Sequence, residues 1–143
     1  VGVPTLQTFE CPPGLRGLRV LVVDDEPDTR ALLEYLLVQC ECQVRTAAHA
    51  AEAMALVTSQ PFDVLVSDVG MPGENGLSLI ARIRALPPER GGNIPALALT
   101  AYARSEDRTA ALKAGFHMHL TKPIEPGELT VVIETLATRY GRR

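Results

Sequence analysis

The chain has 143 residues, of which 46% are hydrophobic and 22% are charged, as expected of one globular domain with a proper core. Fourteen basic and 17 acidic residues give a net charge of −3, which argues against a nucleic-acid-binding domain with a basic stripe. No apolar run approaches the roughly 18 residues of a membrane span, and no secretory signal is visible.

The first 17 residues contain three prolines and three glycines with few charges, and this composition is typical of a linker. The chain has three cysteines, Cys11, Cys40 and Cys42, which do not make a disulfide framework. Cys40 and Cys42 are too close for easy bridging, and no second Cys/His pair stands at zinc-finger spacing. We therefore predict reduced, intracellular thiols.

The first half of the domain alternates between apolar runs and helical patterns. A first strand is predicted over 19–23, and it ends at Asp24 and Asp25. Pro27 then opens a helix as a first-turn proline. The apolar face of this helix is predicted to consist of Leu32, Leu33, Leu36 and Leu37. A more polar run over 43–47 suits an edge strand. The helix after it is predicted from the spacing of Ala50, Ala53, Met54 and Val57.

The second half continues the alternation. A third strand, 63–67, ends at Asp68, and a loop over 69–76 leads to a helix with Leu79, Ile80, Ile83 and Leu86 on one face. A fourth strand, 95–99, ends at Thr100. The charged helix after it, about 104–114, has a thin apolar face and should have low local stability. A fifth strand, 117–120, ends before Lys122, and the last helix is predicted over 126–139.

Strict alternation of strands and helices predicts an α/β fold. The expected architecture is flavodoxin-like, a doubly wound five-stranded parallel sheet in the order 2-1-3-4-5 with right-handed crossovers. We predict a linker over 1–17, a single domain over 18–139 and a C-terminal tail over 140–143. In such sheets a ligand binds beyond the carboxyl ends of the strands, at the switch between strands one and three.

Polar residues stand at the ends of these predicted strands. Asp24 and Asp25 end strand one and Asp68 ends strand three, and neighbouring strands lie about 4.8 Å apart, so the carboxylates should converge. Three ionised carboxylates need a counter-charge, which Lys122 and a hard divalent cation such as Mg²⁺ would supply. Thr100 adds a hydroxyl. Each of these residues has an ordinary explanation when it is taken alone: Asp25 could be a helix cap, Asp68 could be a loop aspartate, and Lys122 could be a surface lysine. Their occurrence together at adjacent strand ends favours a functional site.

The segments VLVVDDE, LVSDVGMPGENG, ALTA and LTKP resemble the receiver domain of two-component response regulators. The resemblance covers about residues 18–139. It implies that Asp68 is the phospho-acceptor and belongs to the ligand set of Mg²⁺ or Mn²⁺. Asp25 would bind the cation directly, Asp24 mainly through water, and Gly70 through its backbone carbonyl.

The same resemblance implies that Thr100 contacts the phosphoryl group and that Lys122 pairs with it, in a Lys-Pro bond that is usually cis. The chain departs from the family at three positions. Gly70 stands where many receivers have Asn, Tyr102 is bulky enough to shield an acyl phosphate, and His119 replaces the usual aromatic switch residue. With Thr100 and His119 as switch residues, we expect a shallower switch than in typical receivers.

The partner implied by the resemblance is a histidine kinase or a phosphotransfer domain. The chain is similar to the terminal receiver of a hybrid histidine kinase, and a single-domain regulator is the alternative. We expect a monomer with no direct nucleic-acid or membrane contact, located in the cytoplasm or in the cytoplasmic part of a larger, membrane-bound kinase. We expect no enzyme activity beyond its own phosphorylation and dephosphorylation.

Two other functions stay open. A Mg²⁺-dependent aspartyl phosphohydrolase would need a second carboxylate where this chain has Gly70, and usually a larger core. A degenerate receiver would serve only as a protein-binding platform. The presence of all the expected acidic residues argues against this function. His117 and His119 alternate onto one strand face and form a much weaker candidate metal site.

Overall fold

The structure is a computed structural model that describes residues 10–101 and 104–141. Its strands are β1 (Arg19–Val23), β2 (Gln43–Ala47), β3 (Val64–Asp68), β4 (Ala96–Thr100) and β5 (Met118–Thr121). Its helices are α1 (Pro27–Gln39), α2 (Ala50–Ser59), α3 (Gly76–Arg84), α4 (Ser105–Ala114) and α5 (Pro126–Tyr140). Two short 3-10 turns lie at Pro13–Leu15 and Pro88–Arg90.

All five strands form one parallel sheet in the order β2-β1-β3-β4-β5, which confirms the predicted topology. The last residue of β1, Val23, lies in register with Ser67 of β3, so the residues that follow both strands emerge at the same edge. β3, β4 and β5 begin one residue later than predicted. No described helix is long and apolar enough to cross a bilayer.

Hydrophobic clusters cover both faces of the sheet. As a consequence, the central strands β3 and β4 are buried along their whole length. One cluster contains residues of α1 and α5, and the other contains residues of α2, α3 and α4. Helix α4 contributes only Ala111 to the buried set, in agreement with its predicted thin apolar face. Leu32 is 43% exposed, so its prediction as a core residue is wrong. Leu33, Leu36 and Leu37 already fill the inward stripe of α1, and Leu32 points to its flank.

Part of the predicted linker packs on the domain. Leu15 is fully buried, and the Gly14 amide donates to the carboxylate of Glu134 in α5 at 3.0 Å. The Gly17 amide donates to the carbonyl of Glu41 at 2.9 Å. The linker prediction for 1–17 therefore needs correction from Pro13 onward, while residues 1–9 lie outside the described residues. In the predicted tail, Tyr140 instead ends α5.

The prediction of three reduced thiols is also wrong. Cys11 and Cys40 form a disulfide, and Cys42 is free and buried. The physical reason is the folding back of the N-terminal segment onto the end of α1, which brings together two cysteines 29 residues apart. Their spacing in the sequence carries no sign of this contact.

The loop from β3 to α3 holds the chain close to the end of β3. The Gly76 amide donates to the carbonyl of Val69 at 2.9 Å, and the Asn75 side chain caps α3 by accepting from the Ser78 amide at 2.9 Å. A Cβ atom on Gly76 would collide with the backbone carbonyl oxygen of Asp68. The absence of a side chain at position 76 therefore permits the close approach of this loop to the backbone of Asp68.

We predict that Gly76→Ala lowers the free energy of unfolding by about 1–3 kcal/mol, because its Cβ collides with backbone that cannot move without shifting β3. Chemical denaturation measures this loss. The matched control is Gly70→Ala, where a Cβ would meet no atom within 4 Å, and we expect a change within about 0.5 kcal/mol. Equal losses in the two variants would contradict the assigned role of Gly76.

Candidate functional site

Three aspartates meet at the carboxyl edge of the sheet, as the strand order predicts. Asp24 and Asp25 follow β1, and Asp68 is the last residue of the neighbouring strand β3. One carboxylate oxygen from each lies within 4.8 Å of the other two. Asp24 is fully buried, Asp68 is 6% exposed and Asp25 is partly buried. The group therefore concentrates negative charge where little water can screen it.

Lys122 supplies a positive charge inside this group. Its ammonium nitrogen lies 3.2 Å from Oδ2 of Asp24 and 3.4 Å from Oδ2 of Asp68. Lys122 follows β5, so its side chain passes across the end of β4 to reach the carboxylates. Its backbone amide donates to the carbonyl of Thr100 at 2.8 Å, and its peptide bond to Pro123 is cis.

Burial and charge act against each other at the site. Burial raises the pKa of Asp68, although the Gly70 amide at 3.2 Å and the Lys122 ammonium both act to lower it. Burial acts to lower the pKa of Lys122, but the attraction of Asp68 and Asp24 outweighs it, and the pKa is raised. Lys122 therefore stays charged, and with all three carboxylates ionised the group would still have two uncompensated negative charges.

Asp24 and Asp25 have different surroundings. Oδ1 of Asp24 accepts from the Glu26 amide at 2.9 Å, and its backbone carbonyl accepts from Arg30 at 2.8 Å. The N-cap residue of α1 is Glu26, so Asp25 does not occupy the cap position that was its alternative explanation. Asp25 is thus the more accessible carboxylate of the pair. No sequence pattern predicts the hydrogen bond from Arg30 to the backbone of Asp24.

Thr100 and Gly70 are the other two residues predicted to lie beside the acidic group. Thr100 ends β4, is 6% exposed, and directly follows Leu99, the residue in register with Asp68. It therefore lies at the same edge of the sheet. Gly70 is exposed, and its amide hydrogen bond to Oδ1 of Asp68 holds its backbone beside the acidic group. Tyr102 lies outside the described residues.

His117, which directly precedes β5, and His119, which lies within it, have partners of their own. Nδ1 of His117 accepts from the Ala96 amide at 3.0 Å, and its ring stacks on Tyr140. Nε2 of His119 accepts from Nε of Arg108 in α4 at 3.2 Å. Burial and a neighbouring arginine lower the pKa of each imidazole. These contacts do not support a metal site at the histidines.

The acidic group fits a hard divalent cation. Its donors are carboxylate oxygens from Asp24, Asp25 and Asp68, with exposed backbone at Gly70, and Mg²⁺ and Mn²⁺ prefer such oxygen ligands. Among the described residues, this is the one cluster of three or more acidic, histidine or cysteine ligands. Its excess negative charge provides the electrostatic reason for a cation to bind.

Comparison with known proteins gives a consistent result. The family model of the response regulator receiver domain matches residues 20–134. An uncharacterized 14.6 kDa protein of Leptolyngbya boryana is 48% identical over 84% of this chain and 90% of its own length. The sensor histidine kinase GacS of Pseudomonas protegens is 36% identical over 82% of this chain, which spans only 13% of that kinase.

A solved structure shares the fold. It is the receiver domain of a sensor histidine kinase from Pseudomonas aeruginosa, with a magnesium ion coordinated in its active site cleft. It is 30% identical to this chain, and the match covers 85% of this chain and 98% of that domain with a TM-score of 0.78.

We predict that Asp25→Ala weakens Mg²⁺ binding by about tenfold or more, because the change removes the most accessible carboxylate of the acidic group. Calorimetric titration measures the affinity. Asp28→Ala is the matched control, since it removes the same charge from an exposed position in the first turn of α1. Equal affinities for the Asp25→Ala and Asp28→Ala variants would show that Asp25 is not a ligand.

Proposed function

The chain belongs to the response regulator receiver domain family, and we propose that it takes a phosphoryl group from a phosphohistidine onto Asp68 in a Mg²⁺-dependent reaction. One observation carries the proposal: the Lys122 ammonium lies 3.2 Å from Asp24 and 3.4 Å from Asp68, inside a group of strand-end carboxylates. This arrangement leaves Asp68 a nucleophile whose charge is partly compensated, as phosphoryl transfer to a carboxylate requires.

In the proposed reaction, a carboxylate oxygen of Asp68 attacks the phosphorus of the phosphohistidine. The new P–O bond forms as the P–N bond breaks, and the imidazole leaves with the bond's electron pair and takes up a proton. Once Asp68 is an acyl phosphate, Lys122 can pair with a phosphoryl oxygen, and the Thr100 hydroxyl can donate to another. Asp24, Asp25, Asp68 and the Gly70 carbonyl would hold the cation. A bound Mg²⁺ would supply further neutralisation of the phosphoryl charge.

The phosphodonor is proposed to be a separate histidine kinase or phosphotransfer domain. None of the three histidines of this chain suits the role. His49 caps α2 by accepting from the Glu52 amide at 3.3 Å, and His117 and His119 accept hydrogen bonds from other groups. We further propose a monomer that works in the cytoplasm without direct contact to nucleic acid or membrane.

We propose that the domain is part of a hybrid histidine kinase, and the similarity to part of GacS supports this proposal. The single-domain alternative is supported by the Leptolyngbya protein, which matches over 90% of its length. An aspartyl phosphohydrolase is disfavoured because position 70 offers no second carboxylate. A binding platform without chemistry is disfavoured because the acidic group and its lysine are complete.

The proposed output surface is formed by α4, β5 and α5. Thr100 and Lys122 would move toward the phosphoryl group, and the backbone hydrogen bond between them joins the ends of β4 and β5. β5 carries His119, which contacts Arg108 of α4. Because Ala111 alone of the α4 residues is buried, α4 can repack at small cost.

We predict that Asp68→Asn abolishes acyl-phosphate formation from acetyl phosphate and Mg²⁺, because the amide cannot act as the nucleophile. Intact-mass spectrometry and site mapping measure the product. Asp28→Asn makes the same chemical change at an exposed position and should be phosphorylated like the native chain. Phosphate mapped to another residue of the native chain would contradict the assignment of Asp68.

We predict that a phosphoryl mimic, beryllium fluoride with Mg²⁺, changes amide hydrogen exchange in residues 104–122. The reason is the path from Thr100 and Lys122 to α4 and β5. Mass spectrometry of peptides with and without the mimic measures the change. Changes confined to residues 27–40, in and just after α1, would show that the proposed output surface is wrong.

A further inference from the structure

All three cysteines lie around the end of α1. Cys40 is the C-cap residue of that helix and is 4% exposed, and Cys42 is 7% exposed. Cys11 is exposed and forms the disulfide with Cys40. The bond therefore ties the N-terminal segment to α1 by joining an exposed residue to a buried one.

The contacts that hold this segment, residues 10–17, are unequal along its length. At its inner end, Leu15 is fully buried and the Gly17 amide bonds to the carbonyl of Glu41. The ion pair between Arg16 and Glu41 joins exposed side chains, so it adds little. At the outer end, the disulfide is the covalent tie. After cleavage of the disulfide, only the buried Leu15 side chain and a few hydrogen bonds would hold the segment against the domain.

Cys42 lies two residues after Cys40 in the chain but is poorly suited to attack the disulfide. Its thiol donates to the Leu15 carbonyl at 3.4 Å, and burial raises its pKa to about 11. The thiolate is the form that attacks a disulfide, and little of it is present at neutral pH. The bond between Cys11 and Cys40 is thus protected from internal exchange, and its opening needs an external thiol.

We propose that the Cys11–Cys40 disulfide is a reversible redox site whose reductant is a dithiol, and that its reduction loosens the segment 10–17 while the acidic site stays intact. In the reducing cytoplasm, which is the proposed location of the domain, a disulfide with one exposed cysteine is open to reduction and re-oxidation. This proposal does not depend on phosphoryl transfer.

The chemistry takes two steps. A thiolate of the dithiol attacks Sγ of Cys11, forms a mixed disulfide and expels Cys40 as a thiolate, which takes a proton. The second thiolate of the reductant then attacks the reductant's first sulfur, which is bonded to Cys11 in the mixed disulfide. This step expels Cys11 as a thiolate, which also takes a proton. Two electrons and two protons pass to the protein, and the reductant leaves as a disulfide.

The acidic site should be insensitive to this change. Asp24 and Asp25 follow β1, which is held by hydrogen-bonded pairing with β2 on one side and β3 on the other. The loosening should therefore be local. It should appear at the amides of Leu15, Gly17 and Leu18, whose hydrogen bonds define the docked segment.

The test is amide hydrogen exchange of the full chain, air-oxidised and then treated with dithiothreitol. We expect exchange at residues 15–18 to become roughly tenfold faster or more on reduction, because the tether no longer keeps the segment at high local concentration. Exchange in β4 should not change. Cys11→Ser, which alters an exposed position, should exchange at the fast rate with or without reductant.

Cys42→Ala serves as the matched control, because it keeps the disulfide and should keep the response to reductant. Peptide mapping of the oxidised native chain should recover the Cys11–Cys40 pair. Equal exchange at residues 15–18 in the two redox states would overturn the proposal. So would a map showing Cys42 in the bond, or three free thiols after oxidation.

Discussion

The site depends on one charge placement, the Lys122 ammonium between the carboxylates of Asp24 and Asp68. Three negative charges at adjacent strand ends, two of them on almost fully buried residues, repel one another unless a positive charge lies among them. The lysine comes from the far edge of the sheet and crosses β4, so the site exists only when all of β1, β3, β4 and β5 are in order. Because one ammonium cannot balance three carboxylates, the same arrangement favours a divalent cation.

The packing is tight around β3, which carries Asp68, and loose around α4. This difference fits a signalling function. The side that holds Asp68 is rigid: β3 is buried throughout, and Gly76 brings backbone against the Asp68 carbonyl too closely for any side chain. The side that would respond is loosely held, since α4 buries only Ala111 and meets β5 through the contact between Arg108 and His119. A change at Asp68 would therefore be accommodated where repacking costs least.

Much of the fold and the site could be predicted because parallel strands in the middle of a sheet are short apolar runs with abrupt ends. Those ends fix where Asp24, Asp68 and Thr100 lie, and the strand order then brings them together. The contacts that could not be predicted depend on tertiary folding. Nothing local indicates that Cys11 meets Cys40 or that Arg108 donates to His119. Leu32 has the right type and nearly the right spacing for the core but faces solvent.

In the proposed reaction, Asp68 accepts a phosphoryl group only when a divalent cation adds to the charge of Lys122. The most direct measurement is the rate of acyl-phosphate formation on the native chain, followed by intact mass with acetyl phosphate as Mg²⁺ is varied. We expect one phosphoryl group per chain, a rate that rises with Mg²⁺ to saturation, and no product when a chelator removes the cation. Phosphorylation of Asp68 at an undiminished rate in the presence of the chelator would show that the reaction does not need the cation.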